Sequence, residues 1–378
     1  MDISDHVPVC QVMQQPGRII LAVDMDYFYA QCEELRHPEY STKPIVVGMF
    51  SGRTEISGAV ATSNYPARKI GVKSGMPLAS AIQLMKDIDH LLVKADFDYY
   101  ESVSAKIMKI LREYSSKFVQ ESIDEAFLDI TDRVDGDYDR ALELAAEIKS
   151  KVMKETGIKC SIGIGPNRLI AKMACDASKP NGLMMIRPEQ IQSFFKGKPV
   201  DSIYGIGGKT AERLKQMGID TIDQLSKLPL HTLQNEFGNK LGLYYYLAAR
   251  GIDETPLEEK EKDQIGRMMI LKQDSRDVNY IIEALSSLIP EIKKELEEKN
   301  LAFRTVSIVL IDTHLKPHTR EKTLKTRETD CSAAIDTARE LVQSLLQNNP
   351  DITVRRAGIT FSSLSNVEGQ KNITDFLS

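Results

Sequence analysis

An α+β chain of several domains is what this sequence predicts, and three stretches predict it. Residues 18–186 alternate short apolar runs with amphipathic helical periods, the pattern of a mixed sheet carrying helices. Residues 187–250 read as helices joined by short loops, and residues 265–361 return to strands in the succession strand, helix, strand, strand, helix, strand. A length of 378 residues suits two or more cores better than one.

Composition narrows the classes. The longest apolar runs, residues 19–23 and 306–311, are far too short to cross a bilayer, so no transmembrane segment and no membrane partner are expected. Residues 1–17, MDISDHVPVCQVMQQPG, lack the basic start and apolar centre of a signal peptide; they read as an N-terminal extension of a cytoplasmic protein. Five cysteines, at 10, 32, 160, 175 and 331, form no C-x-x-C pair and fit reduced thiols packed as small hydrophobes, with neither a disulfide framework nor a zinc site. A net charge of −5 argues against a protein that coats nucleic acid with its whole surface, and leaves room for local basic tracks beside an acidic site.

The organising stretch is residues 18–34, RIILAVDMDYFYAQCEE. Its unbroken apolar run predicts a strand buried on both faces that ends at Asp24-Met25-Asp26. In an extended backbone Asp24 and Asp26 point to one side and the Met25 carbonyl remains available, a set of hard oxygens suited to a cation. Tyr27, Phe28 and Tyr29 follow, able to flank a flat substrate or a sugar. A plainer alternative is that Asp24 or Asp26 caps the next helix.

Residues 44–48 and 58–62 predict two short strands around a Ser/Gly/Arg-rich turn, the second built of small residues that include Ala59 and Ala61. Tyr65 and Arg68 share one face of the helix beginning at residue 64, either as a phosphate clamp or as an Arg stacked on a ring. A short helix and a strand fill residues 71–94, and residues 98–114 form an amphipathic helix through Val103, Ile107, Ile110 and Leu111. Strands at 117–120 and 126–130 enclose Glu121-Ser122-Ile123-Asp124-Glu125, so two adjacent carboxylates fall at a hairpin. They repel unless solvent or a cation separates them. Helices at 137–154 and 167–177, with strands at 160–164 and 183–186, complete this part. Lys179, before Pro180-Asn181-Gly182, is a surface lysine or a point charge for a triphosphate.

The stretch 204–211, YGIGGKTA, is no P-loop, because the required first glycine would fall on Ile203. It reads as a helix-hairpin-helix turn in which the amides near Gly205 and Gly207, with Lys209, can grip a DNA phosphate. Residues 250–263 are rich in Asp and Glu and predict a solvated tether. Beyond it, strands at 266–272, 303–312, 319–327 and 353–361 and helices at 278–298 and 331–347 give a βαββαβ, ferredoxin-like unit. Lys316, Arg320, Lys322, Lys325 and Arg327 cluster on its central hairpin. Alternation would show basic residues to one side, as a nucleic-acid backbone track or as charge protecting an edge strand.

Taken in order, VDMDYFYAQCE, SGAVATSNYPARKIGVKSGMP, ESIDEAFLDIT, SIGIGPNRLIAKMACDASKPNG and YGIGGKTAERL resemble the Y-family translesion DNA polymerases of the DNA polymerase IV (DinB-like) branch, over about residues 18–361. The resemblance implies a right-hand polymerase with palm (18–27 and 95–186), small fingers (28–94), helical thumb (187–250), linker (251–264), little finger (265–361) and tail (362–378). It implies Asp24, Asp124 and Glu125 as catalytic metal carboxylates with the Met25 carbonyl, and two Mg2+ per site. Tyr29 becomes the steric gate against ribose. Thr62, Tyr65, Arg68 and Lys179 become triphosphate contacts, and Ala59 and Ala61 the roof over the nascent base pair. The expected activity is error-prone, template-directed addition of dNTPs to a primer 3′ end past damaged template bases, by a monomer on primed template DNA. A non-catalytic DNA-binding scaffold is the alternative, and a metal nuclease a second enzymatic class. The N-terminal extension, Tyr204 where the thumb turn usually has proline, and the acidic tether depart from the family pattern.

At the C-terminus, Gln370, Ile373, Phe376 and Leu377 resemble the peptide by which repair proteins bind the ring-shaped sliding clamp, in the longer spacing found in archaea and eukaryotes. One helical turn would put Ile373 and Phe376 on one face.

Overall fold

The computed structural model describes residues 17–258 and 262–367. In chain order, the first part runs β1 (Ile20–Met25), α1 (Phe28–Arg36), β2 (Ile45–Phe50), β3 (Gly58–Ser63), α2 (Tyr65–Lys69), α3 (Leu78–Met85), β4 (Leu91–Lys94) and α4 (Phe97–Arg112). Next come β5 (Lys117–Gln120), β6 (Glu125–Asp129), α5 (Tyr138–Thr156), β7 (Cys160–Gly165), α6 (Arg168–Ser178) and β8 (Leu183–Met185). Helices α7 (Ile191–Phe195), α8 (Gly208–Gln216), α9 (Ile222–Ser226) and α10 (Leu230–Ala248) follow. The last part is β9 (Gln264–Ser275), α11 (Val278–Ser286), α12 (Ile289–Glu298), β10 (Leu301–Asp312), β11 (Pro317–Glu328), α13 (Ser332–Asn348), β12 (Val354–Ser362) and β13 (Ser365–Asn366). Two units emerge, Met1–Met49 with Gly58–Glu259 and Phe50–Ser57 with Lys260–Ser378.

The first unit is built on a five-stranded mixed sheet in the order β5-β6-β1-β7-β8. Its central strand, β1, is antiparallel to both neighbours and buried at every residue, as its unbroken apolar run requires. Each fully buried Ile, Leu or Val side chain there contributes about 2 kcal/mol. That burial lets the strand continue two residues past the expected end, so Asp24 and Met25 belong to the ladder. Helix α6 lies on β7 without a gap: a Cβ on Gly163 would meet the Ala171 carbonyl at 2.0 Å and the Cys175 nitrogen at 2.2 Å. Helices α4, α5 and α6 are entered through Asp96, Asp137 and Asn167, each accepting from an amide of the first turn. A smaller sheet, β3-β2-β4, holds β2 and β4 parallel.

The part expected to be a solvated tether is docked where it is described. Leu257 is buried beside Ile20, Val119 and Phe127, and Asp253 accepts from the Leu169 amide at 3.1 Å. The buried Leu257 and the Asp253 carboxylate together anchor the segment.

The second unit is built on an antiparallel sheet whose main path runs β11-β10-β12-β9, with β13 paired to β10 beside it. Strand β12 separates the parallel pair β9 and β10, and β10 separates β11 and β12, the split β-α-β arrangement. The single helix expected over 278–298 is two, because Pro290 has no amide hydrogen and its ring crowds the preceding turn; it sits in the first turn of α12. Residues 365–366, expected in a free tail, pair with Leu301 and Ala302. No helix of the described residues is long and apolar enough to cross a membrane. Cys32, Cys160, Cys175 and Cys331 are buried free thiols, and burial pushes Cys32 and Cys160 up to about 12 and Cys331 to about 11, which keeps them protonated.

Candidate active site

Asp24 and Glu125 stand opposite each other in the antiparallel ladder of β1 and β6, and the Met25 amide donates to the Asp124 carbonyl at 2.9 Å. The ladder therefore assembles at one point the acids that the sequence places a hundred residues apart. Lys172, on the inward face of α6, bridges them: its Nζ lies 2.7 Å from Asp24 Oδ2 and 3.1 Å from Glu125 Oε2. Lys179 reaches the same Asp24 oxygen at 2.6 Å and Asp176 at 2.9 Å. Burial works against the Asp24 charge, yet the two ammonium groups more than offset it and hold its carboxyl below the usual carboxylate range. For Glu125 burial prevails over the attraction of Lys172, and its carboxyl is raised. The Lys172 ammonium, buried but facing Asp24 and Glu125, stays charged well above the ordinary lysine range.

Neither acid caps the next helix. The N-cap position is taken by Tyr27 in a left-handed conformation, φ 39°, with no side-chain cap. Asp26 instead accepts from Ser161 Oγ at 2.9 Å and from the Asn181 amide, so it holds the loop after Lys179, and burial raises its pKa.

Above the acids opens a cleft of about 250 Å³. Asp24, Met25, Asp124 and Lys179 line its acidic end, and Tyr29, Ala61, Thr62, Tyr65 and Arg68 its walls. Tyr29 is stacked on the buried Tyr100, ring centroids 4.7 Å apart and 18° between planes, with the Phe97 edge at 5.8 Å; the stack fixes the orientation of a ring that narrows the cleft. Arg68 lies over the Tyr65 ring at 5.3 Å and donates through Nε to the Ser63 carbonyl at 2.9 Å. The pair therefore takes the stacked arrangement, and both residues line the cleft wall. Ala59 lies outside the cleft lining, two residues back along β3, in a bridge with Pro77. Ser74 joins the lining without having been expected there.

The donors fit a hard divalent cation. They are carboxylates and a backbone carbonyl, and Glu125 Oε1 is buried with no hydrogen-bond partner, an orphaned acceptor that a cation would satisfy. Asp124, half-buried at the rim, accepts from Ser122 Oγ at 2.6 Å. Among the described residues no three acidic, His or Cys side chains are drawn tightly enough together to ligate one ion, and Lys172 bridges Asp24 and Glu125.

Elsewhere in the first unit, Gly205 adopts φ 88°, which a side chain would strain, and turns the chain into α8. Around Gly207 and Gly208 nothing lies within 4 Å of a built Cβ, so the backbone next to Lys209 is open to a ligand. In the second unit the basic hairpin residues do not share one side. Arg320 and Lys322 stand opposite Ile308 and Val306, whose side chains enter the helix-covered core, and Lys322 pairs with Glu340 of α13. Lys325 and Arg327 fall where the register shifts between Thr323 and Glu328, a bulge that breaks the alternation, and Arg327 donates to the Ser363 carbonyl at 2.9 Å. The residues Gln370, Ile373, Phe376 and Leu377 lie outside the described residues.

Lys172 escaped the sequence reading, although a lysine embedded in the apolar helix RLIAKMACDAS is a signal: a buried ammonium needs an anion. Tyr100 escaped as one more ring of an amphipathic helix.

Comparison with known proteins finds relatives along most of the chain. Residues 23–176 match the impB/mucB/samB family model, residues 201–253 the model described as DNA polymerase-iota, thumb domain, and residues 262–374 the impB/mucB/samB family C-terminal domain. A DNA polymerase IV of Nitrosopumilus maritimus is 40% identical over 361 residues, covering 95% of this chain and 99% of that one. The solved Y-family DNA polymerase chimera Dbh-Dpo4(243-245)-Dbh is 35% identical with a TM-score of 0.87, covering 92% of this chain and 100% of its own. An insertion ternary complex of Dbh DNA polymerase is also 35% identical, with a TM-score of 0.67 and the same coverage. With acids at the end of a central strand, an aromatic-walled cleft above them, and this likeness along nearly its whole length, the chain belongs to the Y family of translesion DNA polymerases.

Proposed function

We propose that the cleft takes a deoxynucleoside triphosphate opposite a template base and adds it to a primer 3′ end. The observation that carries the reading is Asp24, which faces Glu125 across the strand pair and lines one cleft together with Tyr29, Tyr65, Arg68 and Lys179. Asp24, Glu125, the Met25 carbonyl and Asp124 would hold two Mg2+ ions, whose preference for a few carboxylates plus phosphate oxygens matches this donor set. Bound there, the metal supplies Lewis acidity for the attacking hydroxyl and for the departing pyrophosphate. Arg68 and Tyr65 hold the triphosphate from one wall; a planar guanidinium backed by a ring is preorganised for a phosphate. Thr62 adds a hydroxyl. Lys179, shared here between Asp24 and Asp176, exchanges these anions for a phosphate. Tyr29, held flat by Tyr100, blocks a 2′-hydroxyl. Ala61, with Ala59 behind it, makes a low roof of methyl groups that tolerates distorted base pairs, which is the error-prone, lesion-bypassing character of the reading.

Gly205, Gly207 and Lys209 in the thumb and Lys325 and Arg327 in the little finger are proposed to contact the DNA backbone without reading bases, whereas Arg320 and Lys322 turn to the helix side and are left out of that track. The domain limits proposed are those set out above, with residues 365–366 counted to the little finger. A monomer acting in the cytoplasm, where its DNA substrate would be, completes the reading.

Primer extension on a primed template with dNTPs and Mg2+ tests it. Lengthening supports the proposal. Shortening of the primer points to a metal nuclease, and DNA binding without either change points to a scaffold.

A further inference from the structure

We propose that Lys149 is a positioning residue for nucleotide binding, its ammonium holding the loop after Lys179 in the shape that delivers Lys179 to the cleft. The inference rests on Lys179 being a triphosphate contact and adds the group that fixes it.

Lys149 lies on α5, away from the cleft lining. Its Nζ donates to the Cys160 carbonyl at 2.7 Å, the Asn181 carbonyl at 2.8 Å and Asn181 Oδ1 at 2.8 Å, with the Gly182 carbonyl at 3.2 Å. All four oxygens are uncharged, so the cation is met by converging dipoles instead of a carboxylate. Without it, the negative ends of these dipoles would face one another and the loop would open. The same loop is fastened from its other side by acceptors: the Asn181 amide donates to Asp26 and the Gly182 amide to Ser161 Oγ at 3.1 Å. Asn181 is thus gripped from both sides, two residues from Lys179, and its φ of 49° keeps the turn tight. A small displacement of Lys179 weakens a charge-assisted contact steeply with distance.

The test is steady-state dNTP incorporation by the full chain carrying Lys149→Met, Lys149→Arg, Lys179→Ala or both Lys149→Met and Lys179→Ala. Lys149→Met should raise the dNTP KM about tenfold with a smaller loss in kcat. Lys149→Arg, which keeps the charge and the donors, should recover most of it. The double variant should be no worse than Lys179→Ala alone. Asn181→Gly keeps the left-handed backbone and removes one acceptor; it should raise KM about threefold. This milder variant decides the matter if Lys149→Met does not fold. If Lys179→Ala leaves KM unchanged, the triphosphate role of Lys179 falls, whatever Lys149 does. If Lys179→Ala raises KM while folded Lys149→Met or Asn181→Gly leaves it unchanged, or if Arg fails to rescue, the positioning role is overturned.

Discussion

Asp24 faces Glu125 across the strand pair, and both carboxylates rest on the single ammonium of Lys172, 148 residues along the chain from Asp24. Two acids a few ångströms apart in a largely dry site repel strongly, so their proximity requires a positive partner at all times.

Glu125→Gln and Asp124→Ala are therefore expected to lower primer extension by about a thousandfold or more while the protein stays folded, since each removes charge developed for metal binding. Circular dichroism and single-nucleotide incorporation check both halves. Wild-type rates in either variant would take that residue out of the site.

Lys172→Met should destabilise the metal-free protein by about 3 kcal/mol, because it leaves the Glu125 carboxylate without its cation and Asp24 with Lys179 alone. Adding Mg2+ should recover part of the loss by supplying the missing charge. Melting curves in EDTA and in Mg2+ measure this, and identical losses in the two would show that the metal and the lysine do not share a task.

Tyr29→Ala should relax discrimination between dNTP and rNTP by about a hundredfold, the order expected when a steric exclusion in a tight pocket is removed. The ratio of kcat/KM for a matched dNTP and rNTP pair is the measurement. An unchanged ratio would move the gate elsewhere.

Acid should loosen the second unit through Glu295. Burial opposes its charge, but Lys262 at 2.6 Å, Arg267 at 2.9 Å and Lys299 at 3.3 Å bring its pKa down to about 2. A folded-state pKa below the unfolded one, near 4.3, means stability that is complete above about pH 4.3 and is lost as pH falls towards 2. Glu295→Gln should lower stability at neutral pH and flatten the acid limb of a pH titration of melting temperature. A parallel downward shift at every pH would refute the linkage.

Removing residues 370–378 should leave unassisted synthesis intact and abolish stimulation by a sliding clamp, whose effect is to raise the local concentration of enzyme at the primer end. Primer extension with and without clamp, on intact and truncated chains, decides it. Equal stimulation would exclude this segment as the docking peptide.

Local order in the sequence was enough to locate the acids at strand ends, the helix face carrying Tyr65 and Arg68, and the succession of elements, because apolar spacing reports faces and turns. It was also enough for the family resemblance, since the motifs stand in order along the chain. Tertiary structure alone decided that Asp26 holds a loop, that Lys172 bridges the acids, and that Tyr100 backs Tyr29. It also decided which face the hairpin cations take, since Arg320 and Lys322 follow Ile308 and Val306 to the helix side. Periodicity describes where a side chain points from its own backbone. Which charge it meets there depends on ladder register and on how closely α6 can lie against Gly163, both set by segments remote in sequence.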